Sequence, residues 1–129
     1  MIAAVAVSVL ITATSTAYSP CDSSSMTSSG KAARVGYVAA NGFAIGTWIE
    51  MRRPRLVQGR RYFRVMDRGG MGSPQAIDFW GSCGFMESWG RRSITYRTIP
   101  RSELYRGKPI GGWRVVAAKR GGRLVWRPR

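Results

Sequence analysis

The chain has 129 residues and carries 21 Lys and Arg against 6 Asp and Glu, a formal net charge of +15, with 44% apolar residues. That is the size of one domain with enough apolar mass for a core, so wholesale disorder is not expected. The absence of histidine excludes a Ser-His-Asp triad, a Cys-His protease and a His-ligated zinc hydrolase, and leaves hydrolytic chemistry to Asp22, Glu50, Asp67, Asp78, Glu87 and Glu103.

In chain order, the first apolar run, Met1 to Ala13, is shorter than the roughly 20 residues that span a bilayer. It reads either as the apolar part of a secretion signal, though the first basic residue is Lys31, or as a buried strand. The reading adopted is a strand over Val7–Tyr18, with residues 1–6 as a tail or signal remnant. Ser19 to Lys31 is a Ser-rich loop. Further strands are expected at Gly36–Ala40, Trp48–Met51, Tyr62–Asp67, Ala76–Phe79 and Ser93–Ile99, and one short helix at Cys83–Trp89, leading into Gly90. Arg52 to Arg61 is a basic turn with five arginines and no acid. Many short strands with Gly and Pro between them suggest a small closed barrel. From Arg101 onward the chain holds nine Lys or Arg and one acid. There Trp113–Arg120 and Arg123–Arg127 flank Gly121-Gly122, predicting a hairpin with a two-residue turn across which Trp113 and Trp126 can meet.

Cys21 and Cys83 form a distant pair without a C-x-x-C motif. They read as a disulfide if the protein leaves the cytoplasm and as two buried thiols otherwise, and no metal site is expected. The charge favours an anionic partner such as nucleic acid, anionic lipid or cell-wall polymer. Its arginine bias suits carboxylate or phosphate groups.

Val65-Met-Asp-Arg-Gly-Gly-Met-Gly-Ser-Pro-Gln-Ala-Ile-Asp-Phe-Trp80 places two aspartates eleven positions apart, each ending an apolar run, around a glycine-rich loop. Such a loop can bring both carboxylates to one cleft. Paired carboxylates push their pKa values apart, which glycosidic cleavage needs. Arg68 is the counterweight, since a guanidinium reaching Asp78 would depress its pKa. For Asp67 the competing reading is a buried salt bridge or turn cap.

Taken with Thr16-Ala-Tyr-Ser-Pro20, Met26-Thr-Ser-Ser-Gly30, Ala39-Ala-Asn-Gly42, Asp67-Arg-Gly-Gly70, Ile77-Asp-Phe-Trp80 and Trp89-Gly-Arg-Arg92, the chain resembles the bacterial three-aspartate (3D) domain. That family occurs in membrane-bound lytic transglycosylase A and in cell-wall proteins of spore-forming bacteria, and its barrel is similar to those of rare lipoprotein A and the expansins. The resemblance covers roughly Val9 to Ile99. It implies a mainly β fold: a six-stranded double-psi β-barrel over residues 7–99, with one short helix, followed by a basic C-terminal hairpin extension over 100–129. By the same resemblance Asp78 matches the catalytic acid/base and Asp67 its neighbour in the cleft, while the family's first aspartate falls at Asn41. Thr16 and Tyr18 match groove positions. Arg68 and Trp80 are candidate substrate contacts, and Arg91 and Arg92 candidate partners for peptide-stem carboxylates; a solvated strand start is the alternative for that arginine pair.

The expected function is cleavage of peptidoglycan glycan strands by a monomeric, secreted, periplasmic or wall-located protein, bacterial or phage-delivered, without cofactor or metal. Asp78 would protonate the glycosidic oxygen and then deprotonate the sugar's 6-hydroxyl, as in a lytic transglycosylase. Inverting hydrolysis with Asp67 as base is the other chemical route. A non-catalytic wall-binding or expansin-like module is the second reading, and a nucleic-acid or other anionic-polymer binder the third.

Overall fold

The computed structural model describes residues 9–117 and 124–128. The chain divides into two compact units, one ending at Thr98 and the other beginning at Ile99. The first unit is a closed barrel of six strands: β1 (Ile11–Tyr18), β2 (Tyr37–Ala39), β3 (Trp48–Arg53), β4 (Tyr62–Asp67), β5 (Ile77–Trp80) and β6 (Arg92–Thr98), with α1 (Cys83–Trp89) between β5 and β6. Around the barrel the order is β1-β5-β2-β4-β3-β6. The β1–β5 and β2–β4 pairs are parallel and the others antiparallel, a mixed closure consistent with a double-psi barrel.

Alternation along the strands builds the interior. Val38, Ile49, Met51, Phe63, Val65, Ile77, Phe79, Ile94 and Tyr96 are all 1% exposed or less and form one core cluster with Trp89 from α1. Phe79 is the hinge of the aromatic packing, with T-shaped contacts to Phe63 at 5.0 Å and to Trp89 at 5.4 Å between centroids. The indole N–H of Trp89 donates to Ser15 Oγ at 3.1 Å, and that hydroxyl donates on to the Arg92 carbonyl at 2.9 Å. A hydroxyl thus enters the barrel without an unmet hydrogen bond. The helix begins with Ser82 Oγ accepting from the Phe85 N–H at 3.1 Å, a cap that offsets one orphan donor of its first turn.

Among the described residues the first strand starts at Ile11; the expected start at Val7 lies outside them. Val9 and Leu10 precede it and are 73% and 56% exposed. The ladder between β1 and β6 begins with Ile11 opposite Tyr96, and Val9 and Leu10 stand outside it. Apolar character without a partner makes no strand. Smaller shifts occur elsewhere: β2 is Tyr37–Ala39, β3 runs on to Arg53, β5 is Ile77–Trp80 and β6 is Arg92–Thr98.

Cys21 and Cys83 are joined in a disulfide with Cα atoms 5.8 Å apart. It ties the segment after β1 to the first turn of α1 and is consistent with an extracellular or periplasmic location.

In the second unit a short 3₁₀ turn (Arg101–Glu103) leads into β7 (Leu104–Tyr105) and β8 (Lys108–Pro109). These pair across Arg106-Gly107, both with positive φ, a tight hairpin that the residue pattern does not announce. After a second 3₁₀ turn (Ile110–Gly112), β9 (Trp113–Ala117) pairs antiparallel with β10 (Leu124–Pro128). The register sets Trp126 opposite Val115 and Trp113 opposite Pro128, so the two tryptophans are not directly opposed. The predicted turn at Gly121-Gly122 lies outside the described residues.

The acid-free reading of the Arg52–Arg61 turn overlooks Glu50. Its side chain is 2% exposed and takes Arg52 Nε at 3.3 Å, Arg61 Nη2 at 2.5 Å and Arg97 Nε at 2.6 Å. Three strands therefore supply or flank one buried anion. Glu50→Ala is expected to cost about 3–5 kcal/mol by leaving the buried Arg97 cation uncompensated. Replacing both, as Glu50→Leu with Arg97→Met, should recover most of that loss in urea denaturation.

Candidate active site on the outer face of the barrel

The two aspartates sit on the strands that flank β2, and both pair with the same residue. Ala39 lies opposite Asp78 on β5 and opposite Asp67 on β4. The register between β2 and β4 slips after Val38↔Val65, so that Asp67, and not Met66, faces Ala39. A bulge of this kind re-aims a side chain. Two strand spacings separate the aspartate backbones, roughly 10 Å.

Thr16 on β1 lies opposite Asp78 and Tyr18 opposite Trp80. Residues directly opposite or two apart share a sheet face, so Thr16, Tyr18, Asp78, Trp80, Ala39 and Asp67 all stand on the outer face of four adjacent strands. Tyr18, Ala39 and Trp80 form a second apolar cluster there, with Ala33 and Met71 packed against it. Trp80 is 7% exposed and meets Tyr18 edge-on at 5.1 Å. It is a floor beneath the acids, with little area open for stacking.

The carboxylates have opposite environments. Asp67 accepts four hydrogen bonds: from Ser28 N–H and Ser28 Oγ at 2.8 Å each, from Arg68 N–H at 2.9 Å and from Tyr18 Oη at 3.0 Å. Burial pushes its carboxyl up, but the bonds from Ser28, Arg68 and Tyr18 outweigh that and hold it below the usual range. Tyr18 is itself raised, first by burial and then by the Asp67 charge, and stays protonated as a donor. Asp78 accepts a hydrogen bond from Thr16 Oγ1 at 3.0 Å. Burial pushes it up to about 6; the Thr16 bond opposes this, and the charges of Asp22 and Asp67 add to it. One acid is thus a fixed anion and the other is poised to hold a proton near neutrality.

The glycine-rich loop between them is clamped. Asn41 Nδ2 donates to the Gly69 carbonyl at 2.6 Å and Asn41 Oδ1 accepts from the Gly69 N–H at 3.1 Å. Arg68 Nη1 donates to the carbonyls of Ala40 and Phe43; its charge is spent on backbone and not on Asp78. Gly42 is needed for close approach, since a Cβ there would lie 2.3 Å from the Pro74 carbonyl oxygen. The other two arginines lie apart from the acids. Arg92 donates from Nε and Nη2 to the carbonyls of Trp89 and Ser88 and stacks over the Trp89 ring, capping α1, while Arg91 is exposed.

Two contributors escape sequence reasoning. Ser28 lies in the Ser-rich loop, where nothing distinguishes it from its neighbours. Asp22 follows Cys21, and its Oδ1 accepts from the Ser19 N–H at 2.9 Å. Reading the disulfide to Cys83, five residues past Asp78, as a spatial constraint would have brought Asp22 into view. Among the described residues no group of three His, Cys, Asp or Glu is placed to hold a metal ion, and no helix is long and apolar enough to cross a membrane.

Compared with protein-family models, with curated proteins and with solved structures, the chain finds no significant match in any of the three. The geometry of the site therefore carries the functional argument.

Two outcomes test that geometry. Because the folded state raises the Asp78 pKa from 3.8 to about 6, it binds a proton that the unfolded chain has released, so stability falls as pH rises through that window and stays lower above it. Asp78→Asn should flatten this decline and melt above the wild type at pH 7, while matching it near pH 4. Gly42→Ala should cost about 1–3 kcal/mol by forcing Pro74 away, and carbon-detected carboxyl titration should then show a displaced Asp78 midpoint.

Proposed function

We propose that this protein cleaves the glycan strands of peptidoglycan as a lytic transglycosylase, on a double-psi barrel of the three-aspartate type, in the periplasm or at the cell wall. The observation that carries the proposal is the split between two carboxylates across Ala39: Asp78 raised to about 6, and Asp67 saturated by four donors.

In this mechanism the Asp78 carboxyl donates its proton to the glycosidic oxygen as the bond to the anomeric carbon breaks. The resulting Asp78 carboxylate takes the proton of the same sugar's 6-hydroxyl, and that oxygen bonds to the anomeric carbon. A 1,6-anhydro ring forms, a new free hydroxyl is left on the departing strand, and Asp78 is again protonated. Asp67 is a poor base for an attacking water, because all four of its contacts donate to it and its pKa is depressed. That favours the route with one acid over inverting hydrolysis, which needs a second carboxylate free to accept a proton. The fixed negative charge of Asp67 instead helps keep Asp78 protonated and stabilises positive charge developing on the sugar.

A second reading, a wall-binding module without catalysis, is favoured by one observation. Where the three-aspartate family has its first acid this chain has Asn41, and both ends of that amide are engaged with Gly69.

Digestion of purified sacculi separates the two. The wild type should release 1,6-anhydro-muropeptides, at a rate that falls as pH rises above about 6 and Asp78 loses its proton. Asp78→Asn should be slower by roughly 10²–10⁴-fold while still pelleting with sacculi. Fragments with reducing ends would replace the mechanism by hydrolysis, and no fragments with binding intact would establish the binding module.

A further inference from the structure

On the same outer face, one pleat repeat along β2 from Ala39, lies a concavity lined by Arg34, Gly36, Tyr37, Trp48, Arg60 and Arg64. Tyr37 is opposite Arg64 and Arg64 is opposite Trp48, so all three stand on one face. Tyr37 is two residues from Ala39, about 7 Å along the strand. The Arg34 guanidinium lies 4.7 Å from the Tyr37 ring centre and that of Arg64 lies 5.5 Å from the Trp48 ring centre. Arg60 is folded over Gly36, where a Cβ would come within 3.0 Å of its Nε and Nη2. At φ +101 that position is both strained and crowded for any other residue.

Three guanidiniums converge here and no carboxylate lines the concavity. Arg52, Arg61 and Arg97 pair instead with Glu50. Arg64 donates to the Gly46 carbonyl at 3.3 Å, and the guanidiniums of Arg34 and Arg60 have no hydrogen-bond or ion-pair partner among the described residues. Ring and backbone hold the cations in place while their N–H edges stay available, an arrangement suited to bidentate capture of an oxyanion. The two rings already carry guanidiniums, so they are not open platforms for nucleobases.

We infer that this concavity is an anion subsite beside the acid pair, and that it takes a carboxylate of the peptide stem borne by a sugar of the bound glycan. The assignment of the stem rests on the peptidoglycan reading above; the anion site itself does not. It also puts stem recognition on residues other than Arg91 and Arg92. Ala33 packs on the Tyr18–Ala39–Trp80 cluster and Arg34 follows it, so the segment leading into β2 runs from the acids to the subsite.

The test is titration of a soluble disaccharide-peptide carrying free carboxylates, of the same fragment with its carboxyls amidated, and of a polyglycerol phosphate, each against the wild type and Arg34→Gln/Arg60→Gln. Both substituted residues are exposed, and equal thermal melts establish that the variant is folded. The wild type should bind the free acid roughly tenfold or more tighter than the amidated form, and the double variant should bind the two alike. Failure of the wild type to bind the free acid, or to distinguish it from the amidated form, overturns the inference, as does a double variant that keeps the preference. Preference for the phosphate polymer alone, abolished in the variant, reassigns the subsite to wall phosphates and overturns the stem. Asp78→Asn should retain the carboxylate preference. A protein that cleaves no sacculi but shows this preference would refute the transglycosylase and leave the subsite standing.

Discussion

The site depends on the two-sided pairing of one small residue. Ala39 is 2% exposed and hydrogen-bonded strands lie on both of its sides, so the backbones that carry Asp67 and Asp78 are set by the β-sheet lattice and not by a flexible loop. The slip in register after Val38 decides which residue of β4 enters that frame. A regular ladder would put the apolar Met66 opposite Ala39, and the face would then hold one acid.

With position settled by the sheet, protonation is settled by donors. Asp67 and Asp78 share a face and an apolar floor, yet one is held below and the other above its ordinary range. Burial raises both; the loop residue Ser28 sends two hydrogen bonds to Asp67 that help outweigh it, whereas the Thr16 hydroxyl offsets only part of it at Asp78. Of the chain's six acids, Asp22 and Asp67 both act through their charge on Asp78. On a chain of +15, gathering like charges at one place opposes stability, and such opposition is typical of functional sites.

Local features were legible in the sequence, and pairing was not. β4 at Tyr62–Asp67 and α1 at Cys83–Trp89 have the boundaries expected of them, because alternation with flanking turn residues marks the strand and a compact apolar run ending at Gly90 marks the helix. Val9 and Leu10 were expected in β1 because they are apolar and β-prone, but the ladder to β6 begins only at Ile11. The structural role of Glu50 went unread because the arginines that neutralise it come from positions 52, 61 and 97, which only the closed sheet assembles. Asp67 and Asp78 could be picked out by their spacing around a glycine-rich loop. That they differ in protonation follows from the burial of Asp78 and from Ser28 and Asp22, which reach them over sequence distances that no local pattern encodes.

Closure of the barrel has a consequence for what can be recognised. Each of its six strands has a neighbour on both sides, so the barrel has no edge strand. Many proteins that bind extended peptides do so by letting the peptide join a sheet edge as an extra strand, and this barrel cannot. Whatever it holds must lie across a face and be gripped by side chains and loop backbone. A polymer of saccharide rings, whose hydroxyls and substituents point outward along its length, asks for that kind of grip.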